Sequence, residues 1–564
     1  MVFSMAPAGI TRVRQIVLTL SAIGYGLSGI ASQAETIPTG PQVLTFHSDV
    51  DDSDQPYAIY VPRTYDPARK YPLVVSLHGA GSNHRLDLRR VFGKGNLPGE
   101  SEAHAARYFP PWNDIGFIVA SPLARGTMGY QGIAEKDIYN VFDDVKQRFS
   151  IDEERVYLTG LAMGGGGALW LALTRPDVWA AVAAVCPSPP PGTEELAPNA
   201  INLPVRLFQG ALDPLVPVQS TRQWNSLLQQ TGAQVEYTEY PRVRHNSWDS
   251  AYKDEAIFEW FSQFHRNRYP ERVRFVTESY KYGSAYWVRL DGLTPGVLAS
   301  IDARFAGVNR LVIETHNLKG FTLKITDHPS YAVAKPLSIS IDGQTIRPGR
   351  TLSFSKGASG WQPSPYRIGA GDKRPGAEGP ISEAISAKHI YVYGTAGSPD
   401  IEELEKRRQA ALQAAHWSNP PEALKFNFRV AADTEASGRD LETENLILFG
   451  TRETNHVIAR LAPGLPIALS PSAADFGLVF VYPTNGHYVL INSGLPWWTS
   501  MDEAGFAGPS FVPLSYRILL SLGDYVLFKG SLENVVVSGR FDNAWRVPAA
   551  DAGKLRASGA VEIK

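Results

Sequence analysis

Cysteine is almost missing from this chain of 564 residues, and Cys186 is the single one. No intrachain disulfide can form, so the fold must rest on its apolar cores. An excess of either charge is missing as well. A formal net charge of -2 gives no electrostatic ground for nucleic acid or an acidic membrane surface as a partner. Metal-ligand spacing is missing too, because the 12 histidines include no H-E-x-x-H. The glycine run Gly164 to Gly167 lacks the Lys-Ser/Thr that would meet a phosphate. No metal and no cofactor are expected. Beyond the first 34 residues, no apolar run has the length of a membrane-spanning helix.

What is present begins with Arg12 and Arg14 ahead of the apolar stretch Ile16 to Ile30, followed by the small-residue site Ser32-Gln33-Ala34. Residues 1–34 read as a secretory signal peptide, which makes the chain exported, periplasmic or secreted, with no membrane attachment after cleavage. An uncleaved anchor is the competing reading. The length predicts two to four domains. From about 41 to 268, short apolar runs alternate with helical stretches: Tyr57 to Val61, Leu73 to Leu77, Phe117 to Ala120, Val156 to Thr159, Ala180 to Val185, Val205 to Phe208 and Val235 to Tyr240. That pattern predicts a parallel sheet covered on both faces.

A β-rich module is expected over 271–370, with strands at Ala285 to Val288, Leu311 to Thr315, Phe321 to Thr326 and Leu337 to Ile341 and a turn at Asp342-Gly343. Gly369 to Pro380 reads as a linker or exposed loop. A small α/β domain with a loop-rich tail is expected over 380–564, with a charged helix from Pro399 to His416.

Four motifs in the first region carry chemistry. Leu77-His78-Gly79-Ala80-Gly81-Ser82-Asn83 follows a strand. Gly160-Leu161-Ala162-Met163-Gly164 stands between a strand and a small-residue helix, with glycines where larger side chains would clash. Gly210-Ala211-Leu212-Asp213-Pro214 follows another strand. Arg244-His245-Asn246-Ser247-Trp248 comes last. In this order the four resemble the α/β-hydrolase superfamily, in particular exported esterases and prolyl-oligopeptidase-like (peptidase S9-type) serine hydrolases.

The resemblance implies an α/β fold, an α/β-hydrolase domain with a mostly parallel sheet over 41–268. It makes 160–164 the nucleophile elbow, with Asp213 and His245 as triad acid and base. Backbone N–H groups of Ala80, Gly81 and Met163 would form the oxyanion and substrate-binding cradle. Its ligand would be an ester or peptide; the oligomeric state stays open.

Ala162 occupies the nucleophile position, so activity as written is expected to be impaired. Three readings follow. The alanine is a substitution in an otherwise active enzyme, or the protein is a pseudoenzyme binding a polymer, peptide or ester in the same cleft. In the third, Ser82, Ser121 or a water held by His245 attacks instead. Tyr130 and Trp112 are candidates for the pocket wall, His78 and Gly79 for shaping a turn, Asp137 for capping a helix, and Cys186 for a small buried residue.

Overall fold

Continuous apolar runs with no polar face can only be satisfied between two covering layers, and the first sheet meets that demand. In chain order its elements are β1 (Gly40–Ser48), β2 (Ser53–Val61), β3 (Tyr71–Leu77), α1 (His84–Val91), α2 (Glu102–Ala105), β4 (Ile118–Pro122), α3 (Ile133–Arg148), β5 (Ile151–Leu161), α4 (Met163–Thr174), β6 (Ala181–Val185), β7 (Val205–Gly210), α5 (Val218–Thr231) and β8 (Val235–Tyr240). The strands run in the order β1-β2-β4-β3-β5-β6-β7-β8. β3 to β8 are parallel, whereas β1 and β2 are antiparallel to their neighbours. Every residue of β3, β4 and β6 is buried. The computed structural model describes residues 38–416, 426–436, 438–501, 506–507 and 510–564; residues 1–34, expected to be a signal peptide, lie outside them. Among the described residues no helix is long and apolar enough to cross a membrane.

The glycines around the elbow let α4 lie against the sheet at backbone distance. A Cβ added at Gly164 would fall 2.0 Å from the Leu77 carbonyl oxygen, and one at Gly166 would fall 2.0 Å from that of Ser188. Close packing beneath the turn is therefore why those residues are glycines, as the sequence suggested.

Asp137 does not cap a helix. α3 begins already at Ile133 with Gly132 ahead of it, so Asp137 falls inside the helix, where its carboxylate meets Arg125 Nε at 2.6 Å. Arg125 also reaches Asp51 Oδ2 at 2.8 Å and Ser48 Oγ at 2.6 Å. All three charged side chains are buried. Burial pushes the Asp137 carboxyl up to about 6 although Arg125 pulls it down. Burial would also raise Asp51, but the hydrogen bond and charge of Arg125 bring it below its ordinary value. The Asn427 backbone N–H completes the cluster, donating to Asp51 Oδ2 at 2.9 Å.

Behind the first sheet, two five-stranded sheets enclose one apolar core that includes Phe275, Trp287, Ile301, Ile313, Phe321 and Phe354. The strand expected at Ala285 to Val288 is broken, because Tyr286 adopts φ 53 and turns Ser284–Ala285 back upon Val288–Gly292. Asp342 and Gly343, at φ 50 and 83, make the expected tight turn. Nor is the 369–380 stretch a linker or exposed loop throughout. Lys373 and Glu378 are buried, Lys373 Nζ lies 2.5 Å from Asp524, and Glu378 accepts from the backbone N–H groups of Tyr280 and Lys281. Polar residues inside a packed fold need such partners, and here they fasten the segment from both sides.

The last sheet is mixed. Val430–Ala432, His389–Tyr393, Asn445–Phe449 and His487–Gly494 are parallel, followed by antiparallel Phe476–Thr484, Tyr525–Lys529 and Ser531–Gly539. The tail is more regular than expected: helix Ala549–Ser558 leads into strand Val561–Ile563, which pairs with Ile467–Leu469. From Thr39 onward the chain forms one unit.

Candidate active site

At the carboxyl end of β5 the chain turns sharply into α4, and Ala162 takes the turn with φ 53 and ψ -114. L-residues rarely adopt such a backbone, which costs on the order of 1–3 kcal/mol. The neighbours hold it there. Ala162 N–H donates to the Val185 oxygen at 2.9 Å, and the Ala162 oxygen accepts from Ser188 N–H at 3.2 Å. Glycine accepts this conformation without strain. Ala162→Gly should therefore raise stability by about 1 kcal/mol, read as a higher thermal midpoint; an unchanged or lower midpoint would show that the alanine sits there at no cost.

Asp213 and His245 stand on the turns after β7 and β8. His245 Nδ1 lies 2.8 Å from Asp213 Oδ2. The carboxylate is buried, and its Oδ1 accepts from the backbone N–H groups of Leu215 (2.8 Å) and Val216 (2.9 Å). Gln209 Nε2 donates to Oδ2 at 3.1 Å. So many donors fix Asp213 as an acceptor, which makes His245 Nδ1 the donor and leaves Nε2 able to take a proton.

The dyad is joined to the elbow through Cys186, which follows β6. Its Sγ lies 3.5 Å from the His245 backbone oxygen and within 4.8 Å of the imidazole and carboxylate ligand atoms. Burial pushes the Cys186 thiol up to about 12, and Asp213 and His245 are engaged with each other.

The loop after β3 passes close to the turn, since a Cβ added at Gly79 would lie 3.6 Å from Ala162 Cβ. Among the described residues, no protein acceptor takes the N–H of Ala80 or of Met163. Gly81 differs from the sequence expectation. Its N–H is spent on Thr127 Oγ1 at 2.9 Å, which leaves two of the three expected donors. Neither suggested substitute hydroxyl bonds to His245: Ser82 Oγ accepts from Arg90 Nη1 at 3.0 Å, and buried Ser121 donates to Asp87 at 2.8 Å.

Of the two residues suggested for the pocket wall, Tyr130 is withdrawn into the core and Trp112 is half-buried. Tyr130 is buried with its hydroxyl on the His78 oxygen (2.8 Å), and Trp112 stacks on Phe92 at 4.6 Å. Beside the dyad stands Trp248 instead, its ring edge-on to His245 at 5.4 Å and covered by the Arg90 guanidinium at 5.5 Å. Arg90 also pairs with Glu102 at 2.7 Å.

With this geometry stands the sequence comparison: residues 132–258 match the model of the phospholipase/carboxylesterase family. The first body has the α/β-hydrolase fold. Solved structures also align, each over 40% of this chain. They include a thermostable esterase (26% identity, 63% of its length, TM-score 0.33), a ferulic acid esterase from Anaeromyces mucronatus (18%, 91%, 0.31) and fluorophosphonate-binding serine hydrolase F from Staphylococcus aureus (18%, 98%, 0.31). The chain thus spans less than two thirds of the thermostable esterase. Gln209 and Arg90 were not singled out from sequence, and Trp248 entered only as the last residue of the His245 motif. Gln209 could have been, because it is next to last in the strand that leads to the acid; Arg90 gave no signal.

Proposed function

We propose that this hydrolase body is an acyl-transfer site of exported serine-hydrolase type, directed at carboxylic esters or peptides and lacking its attacking hydroxyl. The carrying observation is the 2.8 Å Asp213–His245 pair beside a strained turn whose residue is alanine. In the reaction that a hydroxyl at 162 would allow, His245 Nε2 takes the hydroxyl proton as oxygen attacks the acyl carbon. The N–H groups of Ala80 and Met163 meet the charge that develops on the acyl oxygen. His245 then returns the proton to the leaving group, and water repeats the sequence to release the acid.

The second reading is favoured by Ala162 itself: the native chain binds such a ligand without turning it over. Fluorophosphonate labelling separates the two states. The native chain should stay unlabelled and Ala162→Ser should be labelled at residue 162. Labelling of the native chain at another hydroxyl would refute the assignment of the site. Export is part of the proposal, and it is tested by the N-terminal sequence of the protein recovered from a secreting host.

A further inference from the structure

His78 is buried, yet both of its ring nitrogens face carbonyl oxygens: Nδ1 lies 2.8 Å from the Gly79 oxygen and Nε2 lies 2.9 Å from the Leu123 oxygen. A carbonyl can only accept, so two such contacts require two donors, which imidazole supplies only when doubly protonated. A neutral ring would set a bare lone pair against a carbonyl oxygen in a site closed to water. The Gly79 oxygen belongs to the same amide as the Ala80 N–H, one of the two free donors beside the elbow. We propose that His78 is an imidazolium that polarises the Gly79–Ala80 peptide, making the Ala80 N–H a stronger donor to an acyl oxygen at the elbow.

The physical chain is short. A charge-assisted hydrogen bond to a carbonyl draws electron density from the amide nitrogen, and linked hydrogen bonds strengthen one another where the local dielectric is low. From α1, Asp87 is fully buried, and burial raises its carboxyl even though hydrogen bonds from Ser76 and Ser121 and the charges of His78 and Arg90 draw it down. His84, at the start of α1, is pushed down to about 3 by burial and by the charges of His78 and Arg85, so it adds no second cation. Tyr130 sits edge-on to the ring at 5.9 Å, and its hydroxyl stays protonated because burial and Asp87 raise it. His78 touches no substrate. It acts through a peptide bond, and its catalytic relevance rests on the acyl-transfer reading above.

The test begins with the native full-length chain carrying nitrogen-15 histidine. One buried histidine should report two hydrogen-bearing ring nitrogens at pH 7.5, and that signal should vanish in His78→Gln. A bare nitrogen on His78 overturns the proposal, even if His78→Gln does not fold. With glycine carbonyl carbon and alanine nitrogen labelled together, the Gly79–Ala80 signal should move in His78→Gln. A charged ring with an unmoved signal also overturns it. In an Ala162→Ser background, His78→Gln should lower kcat about tenfold with KM unchanged, a fraction of the loss of a whole oxyanion donor; an unchanged kcat counts against the polarising role. If Ala162→Ser itself has no turnover, the acyl-transfer reading fails, and the two resonance measurements still decide the state of His78.

Discussion

Ala162→Ser should raise hydrolysis of p-nitrophenyl acetate by about 10³- to 10⁶-fold over the native chain, because loss of the nucleophile alone costs a serine hydrolase about a millionfold. The surroundings are already set. The backbone turn is strained with alanine in place (φ 53, ψ -114), and the new hydroxyl would replace one hydrogen of its methyl group. The imidazole is held by the buried Asp213 carboxylate at 2.8 Å. Adding His245→Ala should return the rate to near the native level, because base and nucleophile act as a unit. Stopped-flow absorbance with both variants gives the answer. A correctly folded Ala162→Ser protein with no gain would remove the acyl-transfer reading.

The largest loss of stability is expected from Arg125→Leu, about 3–5 kcal/mol at pH 8, since it leaves buried carboxylates without their cation. In the native protein the two acids pull in opposite directions. Asp137, raised to about 6, contributes stability that is full below its unfolded value and is lost as pH rises through 6. Asp51, lowered, contributes above its unfolded value and loses that contribution on acidification. Without Arg125 both acids are raised, so the deficit should shrink toward pH 5 and grow toward pH 8. Urea midpoints at the two pH values measure it; an equal deficit at both would show that packing, not charge, is lost. Replacing Asp137 and Asp51 by Asn in the same variant should recover part of the loss.

The inner parallel strands of the first sheet were legible because burial on both faces leaves continuous apolar runs, and the partly exposed edge strand Val235–Tyr240 was nevertheless read with its observed ends. β1 was not, since as an edge strand it pairs only with β2 and is half exposed. The motif order placed Asp213 and His245 in one neighbourhood because turns at the carboxyl ends of parallel strands converge. What sequence could not give was which N–H groups are spent. Gly81 loses its donor to Thr127, a residue 46 positions away. The same limit hid Lys373 and Glu378: a run rich in glycine, proline and charge looks solvated until distant partners such as Asp524 and Tyr488 are known.

One of the donors to Asp51 is the backbone of Asn427, and the Phe426 ring lies 5.2 Å from the Arg125 guanidinium. A fragment trimmed behind residue 270 would keep the catalytic geometry in outline but open this ionic knot to water on one side. The later part of the chain is then a clasp on the first, and an esterase-sized truncation is a different molecule rather than a smaller one.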